Sequence, residues 1–232
     1  MIVTDARRAG GDDTWVVIAA FNEGDVIEGV VREVVAGGYH VAVVDDGSRD
    51  RSAQLARDAG ATVIRHAVNL GQGAALQTGV DYALRRGATR IATFDADGQH
   101  DAADLPAMLA ALEGPDGADI ALGSRFLGRV EGASANRMRL LKTAVAMSNR
   151  MSGMKLTDAH CGFRAFRASA APHLRITQDR MAHASELLRK IRSSGLRVVE
   201  VPVTVRYTAH SVRKGQGGIQ AVRILFDYFF RA

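Results

Sequence analysis

Short apolar runs alternate with stretches of helical periodicity through the first half of the chain. Trp15 to Ala20 is a run of the kind shown by a strand buried on both faces, and it stops at Phe21-Asn22-Glu23. Val26, Ile27, Val30, Val31, Val34 and Val35 then recur on one helical face. Gly37-Gly38 closes that helix, where a left-handed residue is favoured. Val41–Val44 predicts a second strand running into Asp45-Asp46-Gly47-Ser48, and Ala53, Leu55 and Ala56 mark a helix that ends by Gly60. Thr62–Arg65 predicts a third strand, Ala74–Leu84 a helix, and Arg90–Phe94 a fourth strand stopping at Asp95. A further strand, Asp119–Leu122, leads to Gly123-Ser124-Arg125.

This alternation implies right-handed βαβ units and a parallel sheet covered by helices on both faces: an α/β fold. Beyond residue 125 the pattern loosens. Residues 137–151 read as a helix, 158–166 as a loop or short strand, and Arg180–Ser193 as another helix. Leu196–Tyr207 is extended, and Pro202 suits an edge or exposed strand better than a central one. A glycine-rich loop at 213–218 and a final helix close the chain. One domain is expected over 1–232, with no internal repeat and no linker.

Acidic loops stand where the predicted strands end. Ligands of open α/β sheets bind beyond the carboxyl ends of the strands, so Asn22, Glu23, Asp45, Asp46, Asp95 and Asp97 should converge on one cleft. Asp95-Ala96-Asp97 then offers two carboxylates to one hard cation, Mg2+ or Mn2+, with positions left for diphosphate oxygens. Asp45 to Asp50 reads both as a turn with a helix cap and as a set of acceptors for a nucleoside.

Charge sharpens this picture. The net charge of +5 hides 10 Lys/Arg against 19 Asp/Glu in residues 1–120, and 20 against 6 in residues 121–232. An acidic half that holds a cation beside a basic half that attracts phosphate suits chemistry on phosphorylated substrates. The single cysteine, Cys161, excludes an intrachain disulfide and fits a reducing cytoplasm. Met1–Asp13 is polar and lacks a signal-peptide pattern, and no run of eighteen apolar residues occurs, so a cytoplasmic protein is expected.

Ile18-Ala-Ala-Phe-Asn-Glu23, Val44-Asp-Asp-Gly-Ser-Arg-Asp50, Asn69-Leu-Gly-Gln-Gly-Ala74, Asp95-Ala-Asp-Gly-Gln-His100 and Gly123-Ser-Arg125 together resemble family 2 glycosyltransferases. Within that family the chain resembles dolichyl-phosphate mannose synthase and bacterial polyprenyl-phosphate enzymes over roughly residues 15–227. The resemblance implies the A-type glycosyltransferase fold, a mixed and mainly parallel sheet. A nucleotide-sugar-binding half would span 14–122 and an acceptor-side half 123–232. It implies a GDP- or UDP-sugar donor, with Ala20, Phe21, Glu23, Asp45 and Asp46 lining the nucleoside pocket. Asp95, Ala96, Asp97 and Gln99 would meet metal and diphosphate, and Arg125 would face phosphate. The family commonly has proline where Ala19 stands, so a less rigid first loop is expected here.

Downstream, Thr157–Phe166, Met181–Glu186 and Tyr207–Gln216 resemble the family's acceptor-side motifs. Arg213 and Lys214, in a loop of glycines before a helix, read either as a mobile surface loop or as a positive loop closing over a diphosphate. The mechanism expected is inverting displacement at the anomeric carbon. A lipid phosphate would attack as an anion. A hydroxyl acceptor would need a base, for which Asp158 and Glu186 are the candidates.

The rival within this chemistry is transfer from a UDP-sugar to a hydroxyl of a glycan or other soluble acceptor. A nicotinamide-dependent dehydrogenase is suggested by Gly71-Gln-Gly-Ala-Ala-Leu76 and fails at Leu76, where the third glycine belongs. A basic nucleic-acid-binding module draws on the positive second half but has few aromatics and an acidic cleft, so no nucleic-acid partner is expected. His160 and Cys161 lack the spacing of a zinc site, and His66, His173 and His183 show no partner in sequence. Ile219, Val222, Leu225, Phe226 and Phe229 form one face of the last helix opposite Arg223, Asp227 and Arg231. Periodicity alone fits an ordinary helix packed on the domain or on a second subunit; the resemblance to lipid-phosphate enzymes implies instead peripheral binding to an anionic membrane surface.

Overall fold

Four strands, β1 (Thr14–Ala20), β2 (His40–Asp45), β3 (Thr62–Arg65) and β4 (Arg90–Asp95), alternate with helices α1 (Ile27–Ala36), α2 (Ser52–Asp58) and α3 (Gln72–Arg85). There follow α4 (Leu105–Ala110), β5 (Ile120–Glu131), α5 (Ala135–Ser152), β6 (Arg164–Arg167), α6 (Ala182–Ser194) and β7 (Val198–Arg206). The structure, a computed structural model, describes residues 13–178 and 182–207. Arg180, Arg213, Lys214, the 213–218 loop and the helix expected over 219–232 lie outside the described residues.

The strands form one sheet in the order β3-β2-β1-β4-β6-β5-β7. All pairings are parallel except those of β6, which runs antiparallel to both β4 and β5. Side chains alternate between two apolar layers, as a strand covered on both faces requires. Val16, Ile18 and Ala20 pack with α1, α2 and α4, while Trp15 and Val17 pack with α3, α5 and α6. Among the described residues no helix is long and apolar enough to cross a membrane.

Two elements depart from the sequence reading. α4 was not expected: only Leu105, Met108 and Leu109 signal it, too few turns for a periodic pattern, and a 3-10 turn capped by Asp101 leads into it. β5 runs nine residues past Leu122, through polar Gly123-Ser124-Arg125 and on to Glu131. β7 supplies its hydrogen-bond partners there, with a register irregularity between Ser124 and Arg129. The stretch 158–166 resolves into a loop followed by β6 at 164–167. As predicted from Pro202, β7 is an edge strand, and Pro202 is exposed on it.

Candidate functional site

Register builds the site. Ala20 of β1 stands beside Asp45 of β2, and Ala19 stands beside Asp95 of β4. Three adjacent parallel strands therefore finish with carboxylates on either side of a small residue, about 10 Å apart at two strand spacings.

The loops beyond are stitched to one another. Asn22 takes a left-handed backbone (φ 53), which Asn tolerates, and its side-chain oxygen accepts from Arg49 N–H at 2.9 Å. Asn22 N–H donates to Ser48 Oγ at 2.9 Å, Glu23 N–H to Ser52 Oγ at 2.8 Å, and Gly24 N–H to Asp50 at 2.9 Å. Phe21 projects from this knot with 41% of its surface exposed, while Ala20 is buried.

Asp45 is fully buried. Its Oδ1 accepts from Ser48 N–H at 3.2 Å. Its Oδ2 lies 3.0 Å from Arg65 Nε, an ion pair by distance, yet no donor is aligned on it as a hydrogen bond. Asp46 is saturated instead. It accepts from Leu70 N–H at 2.9 Å, Gly71 N–H at 2.8 Å and His66 Nδ1 at 2.8 Å, and His66 Nε2 reaches Thr78 Oγ1 at 3.0 Å. His66 thus has partners that its sequence neighbours did not reveal. Gly47 (φ +76) lets this loop close, since a Cβ there would stand 2.8 Å from the backbone of Val68.

Asp95 accepts from His100 Nε2 at 3.0 Å and from Gln72 Nε2 at 3.3 Å. Desolvation pushes its pKa up, but the His100 hydrogen bond and the charges of His100, Arg164 and His183 outweigh this and hold it below the ordinary value. Asp97 behaves oppositely: burial first, and then the Asp95 charge, push it up to about 6. Gln99 steadies Asp97 through its N–H at 3.0 Å and its side-chain amide at 2.7 Å, and Ala96 between the two carboxylates is buried. Gln99 is fixed in turn by Arg206 N–H of β7, which donates to its carbonyl at 2.7 Å. Gly162, just before β6, packs so closely on the Asp95 carboxylate that a Cβ there would have to displace it.

Arg125 and Asp158 meet on the other side of β6, while Glu186 braces residues 177–178, which pack on Gly73 of α3. Arg125 is buried; its backbone N–H and Nε reach Asp158 Oδ2 at 3.2 and 2.5 Å, and its Nη1 donates to Tyr207 Oη at 2.8 Å. Burial works against the Arg125 charge, but Asp158, Cys161 and Tyr207 raise its pKa above the ordinary value. Arg137 of α5 stacks on the Tyr207 ring at 4.3 Å. Asp158 Oδ1 accepts from His160 N–H at 3.1 Å. Glu186 of α6 accepts from Thr177 N–H at 3.0 Å and Gln178 N–H at 2.8 Å, and pairs with Lys190 at 2.6 Å. Its pKa falls to about 2 because Lys190 and these donors outweigh desolvation.

Both carboxylates considered as bases are therefore occupied. A Glu186 held at about 2 is a poor proton acceptor near neutral pH, and the geometry makes it a brace for residues 177–178. His160 bonds Ser148 at 3.0 Å, and among the described residues no group of three His, Cys, Asp or Glu is arranged to hold a metal. Gln72, His100, Gly162 and Tyr207 all lie inside the motifs that carry the resemblance, but none is singled out by the sequence alone.

The profile of the family described as "Glycosyl transferase family 2" matches residues 15–175, from β1 past β6. The chain is a family 2 glycosyltransferase. This glycosyltransferase is 32% identical over 217 residues to the polyprenol monophosphomannose synthase of Mycolicibacterium smegmatis, covering 88% of this chain and 81% of the relative. It is 28% identical over 242 residues to a UDP-N-acetylglucosamine–dolichyl-phosphate N-acetylglucosaminyltransferase of Methanococcus voltae, covering 94% and 93%. Its fold is the A-type glycosyltransferase fold. Glucosyl-3-phosphoglycerate synthase from Mycobacterium tuberculosis, solved with Mn2+, uridine diphosphate and glucosyl-3-phosphoglycerate, superposes with a TM-score of 0.69 at 17% identity, covering 95% of this glycosyltransferase and 80% of that chain.

Proposed function

We propose that this glycosyltransferase moves a sugar from a nucleoside diphosphate sugar onto a polyprenyl- or dolichyl-phosphate-type acceptor. The observation that carries the reading is the row of strand ends, in which Asp45, Ala20, Ala19 and Asp95 lie side by side with Asp97 just beyond. Ala20, the exposed Phe21 ring, Glu23 and Asp45 form the nucleoside side. The buried Oδ2 of Asp45, with no aligned donor, suits an N–H or O–H of the nucleoside. Asp46, its oxygens both taken, shapes the pocket wall from behind.

Asp95 and Asp97 would hold Mg2+ or Mn2+. The fit rests on the donor set: Asp95 and Asp97 are hard carboxylates two residues apart at a strand end, and a divalent ion would favour the ionised form of Asp97, which burial and then the Asp95 charge push up to about 6. Two carboxylates, with no third His, Cys, Asp or Glu grouped with them among the described residues, suit an ion that keeps positions for diphosphate oxygens and water. Such an ion, when bound, offsets charge building on the departing nucleoside diphosphate.

In the inverting step an acceptor phosphate oxygen bonds to the anomeric carbon as the bond from that carbon to the diphosphate oxygen breaks, and the electron pair leaves with the nucleoside diphosphate. A phosphate monoester is anionic near pH 7, so no proton has to be removed. That agrees with the occupation of Asp158 by Arg125 and of Glu186 by its backbone donors. Arg125, held by Asp158 and Tyr207, would turn the rest of its guanidinium toward phosphate.

The names of the two relatives, one a polyprenol and one a dolichyl-phosphate enzyme, support a lipid phosphate. So does α5, which contains no acidic residue and exposes Arg139, Lys142 and Arg150 beside Leu140 and Met151. Each well-placed basic residue contributes about 1 kcal/mol toward an anionic membrane surface.

The test supplies GDP- and UDP-sugars, Mn2+ or Mg2+, and a short-chain polyprenyl phosphate in detergent, and looks for the glycosylated lipid phosphate. Transfer to soluble glycan hydroxyls with none to the lipid phosphate would replace this reading by the hydroxyl-acceptor one.

A further inference from the structure

Glu200 lies on the edge strand β7, in register with Leu122 of β5. Val201, Val203 and Val205 are buried against one apolar layer, so alternation turns Glu200 to the other face. By pattern it is a solvated charge on an edge. Its contacts are different. The carboxylate accepts Thr157 N–H at 2.8 and 2.9 Å, Asp158 N–H at 3.0 Å and the Thr157 hydroxyl at 2.8 Å.

Thr157 gives its only hydroxyl proton to Glu200, so in the 2.6 Å contact with Ser124 Oγ the donor is Ser124. Ser124 Oγ accepts in turn from Leu127 N–H at 3.3 Å. The residues between α5 and β6, 153–163, have no helix or strand to satisfy their backbone N–H groups. One carboxylate from β7 takes two of them at the turn that carries Asp158.

We propose that Glu200 is the positioning residue for Arg125. It pins the Thr157–Asp158 turn against Ser124 and Arg125, so that Asp158 Oδ2 meets both the backbone N–H and Nε of Arg125. Glu200 does not touch the guanidinium; it acts through Asp158. The inference rests on the proposed role of Arg125 toward phosphate.

Sheet order separates this device from the nucleoside side. β5, which carries Arg125, and β2 are four strand steps apart, about 19 Å. A loosened Asp158 turn should therefore spare nucleotide binding and damage phosphate handling.

The test compares Glu200→Gln, Thr157→Val, Arg125→Ala and the Glu200→Gln/Arg125→Ala double variant in the full chain. Glu200→Gln keeps the size but turns an amide N–H toward backbone donors. We expect kcat/KM for a short-chain polyprenyl phosphate to fall about 10- to 100-fold, as a misplacement near 1 Å does. Affinity for UDP and GDP with Mn2+, read by calorimetry, should stay within about twofold. If Glu200 works through Arg125, the double variant should be no more than about threefold worse than Arg125→Ala, because the two act on one interaction.

A second readout needs no acceptor. The side-chain Nε–H of Arg125 should exchange slowly with solvent in wild type and quickly in Glu200→Gln, while β1 and β2 amides stay protected. Thr157→Val, which removes the hydroxyl's bonds to Glu200 and Ser124 but keeps both backbone N–H bonds to Glu200, should fall between the two. If wild type transferred nothing to the lipid phosphate, the acceptor reading would fail while the exchange experiment still decided the role of Glu200. Multiplicative losses in the double variant, a parallel fall in nucleotide affinity, or an unchanged Arg125 Nε–H would each overturn the inference.

Discussion

Gly162→Ala is the most direct probe of how the acidic site is held. A Cβ at this position would stand 2.2 Å from Asp95 Oδ2, 2.6 Å from Oδ1 and 2.7 Å from Cγ. Opening the shortest of these to an ordinary 3.4 Å contact moves the carboxylate by about 1.2 Å. Gly162 does not use the left-handed backbone that alanine resists, so the clash falls on the Asp95 side chain and its bonds to His100 and Gln72. A misplacement of that size in a catalytic group costs about 100-fold in rate, or about 2.7 kcal/mol of transition-state stabilisation. Overpacking should remove about 1–3 kcal/mol of stability, a fall of a few degrees in Tm. Steady-state kinetics over a Mn2+ titration, with thermal melts of the same samples, measure both. Wild-type turnover at a wild-type metal requirement would show that the close seat of Asp95 has no functional weight. Loss of the cooperative melt would refute the argument that the side chain gives way before the backbone does.

Asp97→Asn should lower turnover about a thousandfold, or about 4 kcal/mol, while the metal-free Tm stays at or above wild type because a repelled, buried carboxylate has been neutralised; near wild-type kcat with Mn2+ would contradict the metal assignment. Asp46→Asn, which cannot satisfy Leu70 N–H, Gly71 N–H and His66 as Asp46 does, should cost about 1–3 kcal/mol in urea denaturation; an unchanged midpoint would dismiss its bracing role. Glu186, held at about 2 against an ordinary 4.5, contributes stability that is present above pH 4.5 and lost as pH falls through 2. The stability gap between wild type and Glu186→Gln should accordingly shrink across that window, and a constant gap from pH 6 to 2 would count against the depressed value.

β1, β2 and β4 were legible because both their faces are buried, which leaves continuous apolar runs such as Trp15–Ala20. α4 was not, since six residues with three buried side chains cannot show a period. The second half of β5 stayed hidden because Ser124 to Glu131 remain extended only through β7, which arrives some seventy residues later. Within the site, Asp95 and Asp97 were readable from one fact, a strand ending at an acidic turn. Partners distant in sequence were not: Asp46 and His66 stand 20 residues apart, and Thr157 and Glu200 stand 43 apart. Glu200 looked like solvated charge because local pattern reports which face a residue takes and is silent about what a loop brings to it.

The reversed strand β6 also sets a schedule for making the molecule. β3, β2, β1 and β4 are all synthesised by residue 95, but the outer edge of β4 is covered only when Arg164–Arg167 slots in beside it. An uncovered strand edge invites pairing with other chains. At a synthesis rate of about 5–20 residues per second, that edge waits about 4–14 seconds for its partner. Crowded or slowed translation between residues 95 and 167 should therefore lose more of this enzyme to aggregation than delay anywhere earlier.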